Sequence, residues 1–241
     1  MVACVAIALT APLIADGTDD GTANVVVRGR TVYREQCVSC HGVQGDGRGE
    51  AAAYLSPPPR NFTAGVYKFR STMSGQLPTD DDLFRTITIG IAGTAMDRYA
   101  ALPERDRRAL VAYLKSLSPR FAQEGAGQPI AFPAPRPLAP ESAARGRAAY
   151  ERMQCAACHG DGARGDGPLA ADLSDTDGLP IRPADLTSPR LKSGKGAEAI
   201  YRTVMTGLDG TPMPSYGDSL TPDEAWDLAL YIFSLSAREG P

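Results

Sequence analysis

Two pentapeptides hold residues whose types and spacing define a chemistry: Cys37-Val38-Ser39-Cys40-His41 and Cys155-Ala156-Ala157-Cys158-His159. At this spacing two thiols form thioethers to a porphyrin, and the adjacent imidazole reaches its iron. One helical turn presents both sulfurs along one edge of the ring and sets the histidine beneath the metal. The chain has five cysteines, and four of them fall in these two motifs. Chance does not account for that. The fifth, Cys4, lies in an apolar leader and reads as a small hydrophobe.

Other uses of paired cysteines fit less well. A zinc ribbon also takes two Cys-x-x-Cys pairs, but at much closer separation. Here the pairs stand 118 residues apart and each is followed at once by histidine. A redox-active dithiol has no need of that histidine.

Counting histidines limits the iron's second axial ligand. The chain has two, His41 and His159, and both belong to the motifs. Bis-histidine ligation within the chain is therefore impossible. Of the six methionines, Met96 lies 55 residues after His41 and Met213 lies 54 after His159, each closing a Gly-Thr-x-Met segment. Their matched positions make them the axial candidates, and a thioether at that site raises the potential relative to a second imidazole. Met73 and Met205 have no counterparts and read as packing residues. Met153 is too close to the second motif, and Met1 is in the leader. A proximal imidazole gives its other N–H to a carbonyl, which the prolines near Pro58-Pro59 and Pro183 are placed to supply. Arg60 is a candidate partner for a haem propionate, although Ala184 stands at the matching position.

These residues are positioned by an internal repeat. Arg28-Gly29-Arg30-Thr31-Val32-Tyr33 matches Arg145-Gly146-Arg147-Ala148-Ala149-Tyr150, and Gly45-Asp46-Gly47 matches Gly165-Asp166-Gly167. Pro59-Arg60-Asn61-Phe62-Thr63 matches Pro183-Ala184-Asp185-Leu186-Thr187, and Tyr99 matches Tyr216. Each copy reads as helices separated by loops. A first helix near 26–37 or 142–155 runs into the motif. A middle helix starts at Thr79-Asp80-Asp81-Asp82, with acids at its positive end, and its counterpart near 195–206 lacks that cap. A last helix starts after Pro103, or after Thr221-Pro222-Asp223-Glu224. Glycine inside a helix costs about 1 kcal/mol relative to alanine, so Gly29 and Gly146 mark close crossings with the last helix near Tyr113 and Tyr231. Trp226 is expected in the core. The domains are therefore 24–118 and 141–241. Between them, residues 119–140 hold six prolines and read as a stiff, extended linker. Residues 1–15 are apolar and too short to span a bilayer, so 1–23 reads as a signal or leader segment.

Composition excludes little else. The net charge of −3 and an apolar fraction of 43% are ordinary, and nothing forms a nucleic-acid surface. The halves differ, however. Residues 24–118 carry 13 Lys+Arg against 9 Asp+Glu (net +4), and residues 141–241 carry 10 against 15 (net −5). Haem propionates make both values more negative. Such fields steer encounter, so the halves are expected to meet partners of different charge.

Both copies resemble class I cytochrome c domains, with the Cys-x-x-Cys-His motif early, the methionine late and a closing helix. The tandem is similar to dihaem cytochromes of the cytochrome c4 kind and to dihaem subunits of respiratory complexes. The likeness covers about 24–238. It implies an all-α fold of two domains and two covalently bound haem c groups. Cys37, Cys40, Cys155 and Cys158 would hold the haems, with His41 and Met96 on one iron and His159 and Met213 on the other. It also implies export, to the periplasm or otherwise outside the cytoplasmic membrane, since c-type haem is attached outside the cytoplasm. The expected function is single-electron transfer between redox protein partners, met transiently or within a complex. No transmembrane span is expected, and membrane association would come through such a complex. The competing class is a dihaem oxidoreductase, thiosulfate dehydrogenase-like or peroxidase-like, with one displaceable distal ligand. Against it, no histidine is left over, and no cysteine after Cys4 lies outside the motifs.

Overall fold

The computed structural model describes residues 20–237. The expected leader lies, but for its last four residues, outside them. Among the described residues nine α-helices follow in order: α1 (Asp20–Gln36), α2 (Val38–His41), α3 (Asp80–Ile89), α4 (Glu104–Ser116), α5 (Pro119–Glu124), α6 (Pro140–Arg152), α7 (Ala156–His159), α8 (Gly196–Thr206) and α9 (Pro222–Ala237). No strand occurs among the described residues beyond two isolated bridges, so the fold is all-α.

The same four-helix plan occurs twice. In the first half α1 crosses α4 and α3 packs on α4; in the second α6 crosses α9 and α8 packs on α9. Glycine makes both crossings. A Cβ on Gly29 would stand 2.0 Å from the Ala109 carbonyl oxygen, and one on Gly146 would stand 2.0 Å from that of Asp227. The backbones can meet this closely only because neither residue has a side chain. Tyr113 and Tyr231 flank the two contacts.

Each half has its own apolar core. Tyr33, Phe62, Leu83, Leu110 and Leu114 fill one, while Tyr150, Tyr201, Leu228, Ile232 and Trp226 fill the other. Trp226 is 1% exposed and stacks on Tyr201. The helix starts follow their caps. Thr79 caps α3 by accepting from the Asp82 N–H, and Asp82 bonds back to the Thr79 N–H. Thr221 and Glu224 make the same reciprocal pair on α9, satisfying donors that a helix start leaves open. Lys195, before α8, provides no side-chain cap.

The proline-rich stretch departs from the extended form expected of it. Its head is helix α5, because Pro119 suits a first helical position and Phe121 is buried against Tyr67. The chain then runs along the first half, with the Gly127 N–H on the Leu77 carbonyl and the Ile130 N–H on that of Ser71. It reaches the second half where Phe132 meets Tyr201 and Arg136 bonds Asp227.

Candidate functional site

Each cysteine-histidine motif is one helical turn that follows directly on a long helix. The His41 N–H donates to the Cys37 carbonyl and the His159 N–H to that of Cys155, both at 2.9 Å, so cysteines and histidine are fixed on one turn. Beneath each turn a buried tyrosine from the preceding helix holds the next residue. The Tyr33 hydroxyl donates to the Gly42 carbonyl and the Tyr150 hydroxyl to that of Gly160, each at 2.7 Å. Burial raises the pKa of both phenols, which therefore stay neutral donors.

The imidazoles are oriented by carbonyls. Nδ1 of His41 lies 3.0 Å from the Arg60 carbonyl oxygen, and Nδ1 of His159 lies 2.9 Å from that of Ala184. The acceptor is thus the residue just after each expected proline. That explains how arginine and alanine can share a role: only the backbone is used. Arg60 is half-buried; burial lowers its pKa, and the charges of Asp177 and Asp175 of the second half oppose that effect. Burial lowers the pKa of both histidines, favouring neutral rings. Since a carbonyl can only accept, Nδ1 carries the proton and the lone pair is on Nε2. Phe62 stacks on the His41 ring at 4.4 Å, whereas the matching Leu186 gives His159 no aromatic neighbour.

The glycine loops after the motifs correct one pairing made from the sequence. The Gly47 N–H bonds the His41 carbonyl and the Gly165 N–H that of His159, while Gly49 and Gly167 bond Cys40 and Cys158. Gly47 therefore corresponds to Gly165, two residues from the match of the Gly-Asp-Gly letters. Gly45 corresponds to Ala163, which keeps the left-handed backbone at φ 58° without being glycine.

Met96 and Met213 are both half-buried, in the loops before α4 and α9. The loops share one geometry. The Ile91 N–H donates to the Met96 carbonyl and the Leu208 N–H to that of Met213, while the Met N–H groups donate to Thr94 Oγ1 and Thr211 Oγ1. Gly90 and Gly207 end α3 and α8 with positive φ, and a Cβ on either would meet the backbone beside the methionine at 2.7 Å. A tyrosine three residues later stands beside each motif. Tyr99 donates to the Gln36 carbonyl next to Cys37, and Tyr216 packs with Cys155 against the second core. The other methionines differ: Met205 is core, Met153 packs against it, and Met73 is 38% exposed.

The donor set fits a haem. Two free thiols one turn apart and a neutral imidazole with only Nε2 open would hold the macrocycle by its edge and reach its iron, and each methionine loop carries a half-buried thioether. Burial pushes the Cys37 thiol up to about 12 and Cys155 up to about 11, the opposite of a reactive dithiol.

The comparisons with known proteins agree. The Cytochrome c family matches residues 26–118, and the family "Cytochrome C oxidase, cbb3-type, subunit III" matches 141–232. The chain is 28% identical over 220 residues to the cbb3-type cytochrome c oxidase subunit CcoP of Azospirillum brasilense, covering 90% of this chain and 64% of that one. It is 34% identical over 93 residues to subunit FixP of Sinorhizobium medicae, covering 35% of this chain and 27% of that one. It spans a little under two thirds of the length of the first of these relatives. Among solved structures it is similar to a chain of the reducing HAO-like protein complex of Kuenenia stuttgartiensis (TM-score 0.83, 40% identity, 86% of this chain and 95% of that one).

Fold and site define a class, the proteins with covalently attached haem. The chain belongs to the dihaem class I cytochromes c. It carries two covalently bound haem c groups, one to each domain. Bound there, haem iron supplies reversible one-electron chemistry between Fe(III) and Fe(II). No helix among the described residues is long and apolar enough to cross a membrane.

Proposed function

We propose that this dihaem cytochrome carries single electrons between respiratory redox partners as part of a larger complex, with both irons ligated by histidine and methionine. The haems are held by Cys37 and Cys40, and by Cys155 and Cys158; His41 pairs with Met96, and His159 with Met213. Residues 24–118 and 141–241 are the two haem domains, 119–140 connects them, and both lie on the periplasmic side. The observation that carries this reading is the duplication of the methionine loop. Two loops of one geometry, each with its methionine N–H on a threonine hydroxyl and its methionine carbonyl on the turn that ends the preceding helix, match what two permanent axial ligands need. An iron that keeps both ligands reorganises little on transfer, as a carrier requires. Membership of a complex rests on the cbb3-type oxidase subunits that the chain resembles.

The competing reading is a dihaem oxidoreductase with one displaceable ligand. The solved chain compared above is part of a reducing HAO-like protein complex, which alone does not favour catalysis in this chain. An optical redox titration of the holoprotein separates the two. A far-red band of ferric iron bound to methionine sulfur, at full intensity for two haems, with two high-potential transitions, is expected of the carrier. One haem lacking the band and titrating much lower would mean an open site and would overturn the proposal.

A further inference from the structure

The two methionine loops are alike in themselves and unlike in what holds them. Four residues before Met213 stands Asp209, and the matching residue before Met96 is Ala92. Asp209 is seized by the other half of the molecule. Its Oδ1 accepts from an Arg70 guanidinium nitrogen at 2.7 Å and from Ser74 Oγ at 3.0 Å, and its Oδ2 accepts from the Gly75 N–H at 3.0 Å. Arg70 has a fully buried side chain. It also donates to the Thr206 carbonyl at the end of α8, and within its own half to the carbonyls of Tyr67 and Met73.

The neighbouring residues repeat the asymmetry. Thr206 is 1% exposed, while its counterpart Ile89 is 51% exposed. A Cβ on Gly210 would meet Val66 of the first half at 3.3 Å, whereas one on Gly93 would meet nothing within 4 Å. The second loop is therefore covered and gripped by the first half, and the first loop faces open space.

From this we infer that Arg70 is a positioning residue for Met213: through Asp209 and the Thr206 carbonyl, the first domain braces the loop that carries the second haem's methionine. The inference rests on the ligand assignment proposed above. Its consequence is a built-in difference between the haems. External ligands enter more readily at the first iron, whose loop has no such brace, than at the second, and separating the halves loosens the second site alone.

Imidazole titration of the ferric holoprotein tests this, read with the far-red band. In the native chain one haem is expected to take imidazole at the lower concentration. Asp209→Asn keeps the side-chain size and removes the charge. The double variant Arg70→Met with Asp209→Ala removes the buried cation together with its partner, and sets at 209 the residue found at 92. Loss of a charge-assisted hydrogen bond of this kind corresponds to roughly tenfold in an equilibrium. Either variant should therefore raise the affinity of the more resistant haem about tenfold and leave the other unchanged. A role confined to stability would lower the unfolding temperature without moving that affinity. Unchanged imidazole binding in whichever variants assemble with two haems would overturn the brace. Failure of even Asp209→Asn to yield any dihaem protein would do the same, since the carboxylate would then serve folding. Met213→Ala separates the two levels. If it leaves the far-red band whole, the ligand assignment has failed; if it halves the band while the Asp209 variants bind imidazole normally, only the brace has.

Discussion

Asp82 shows how one residue serves a helix and a loop together. Its carboxylate is 1% exposed and accepts from the Ser71 N–H and hydroxyl, the Thr79 N–H and Arg85. Burial alone would raise its pKa, but the bonds from Ser71 and Thr79, with the Arg85 charge, outweigh it and hold the carboxyl below its usual value. A depressed folded-state pKa means that the stabilisation is whole above the ordinary carboxylate value of about 4 and is lost as pH falls through the depressed one. Asp82→Asn should therefore cost about 2 kcal/mol near neutral pH, and variant and native stabilities should converge as the solution is acidified through that depressed value. Denaturant unfolding at several pH values reads this, and a gap that stays constant into acid would refute it. The sequence placed Asp82 at the head of α3, where an acid suits the dipole, but its grip on Ser71 was not legible. Ser71 is eleven residues away in an irregular loop, and no periodicity links the two. The two cysteine-histidine motifs stood out because their chemistry is written in adjacent letters, and Met96 and Met213 only because the repeat matched their positions. The Gly-Asp-Gly match misled for the same reason, since letters aligned there where hydrogen bonds to His41 and His159 do not.

The helices owe their arrangement to a few contacts that the repeat made visible. Gly29 and Gly146 stood out because helix interiors disfavour glycine and the two occur at one position in both copies. The structure gives the reason as backbone against backbone, at Ala109 and Asp227. A methyl group at either place would force the crossing helices apart, and overpacking of this kind costs about 1–3 kcal/mol. Gly29→Ala and Gly146→Ala should each lower the unfolding temperature of the holoprotein by several degrees, as an α-helix crossing opens. Calorimetry that found either variant as stable as the native chain would show that the crossing yields more easily than its distances imply. The expectation of an extended linker failed at α5 for an equally local reason. Prolines disfavour helix interiors but suit helix starts, so Pro119 begins a helix that the count of six prolines concealed. What seats it, Phe121 on Tyr67, is a tertiary contact across 54 residues.

At the scale of the whole molecule, the charges divide along the same line as the domains. Residues 24–118 carry a net +4 and residues 141–241 a net −5, while the chain as a whole carries −3. Propionates lower both values without removing the difference. A carrier of uniform negative charge would repel an anionic oxidant, so salt would speed that reaction and slow the reaction with a cationic one. A molecule with opposite halves behaves otherwise, because each reagent finds the end that attracts it. Stopped-flow oxidation of the reduced holoprotein by ferricyanide and by a cationic cobalt complex should therefore slow with rising ionic strength in both cases. Opposite salt trends for the two reagents would mean that net charge alone governs encounter, and that the division seen along the chain has no electrostatic consequence. Agreement would tie the two asymmetries together. The positive half, whose methionine loop is open, would receive anionic partners, and the negative half, whose loop the Arg70 brace secures, would exchange electrons with cationic ones.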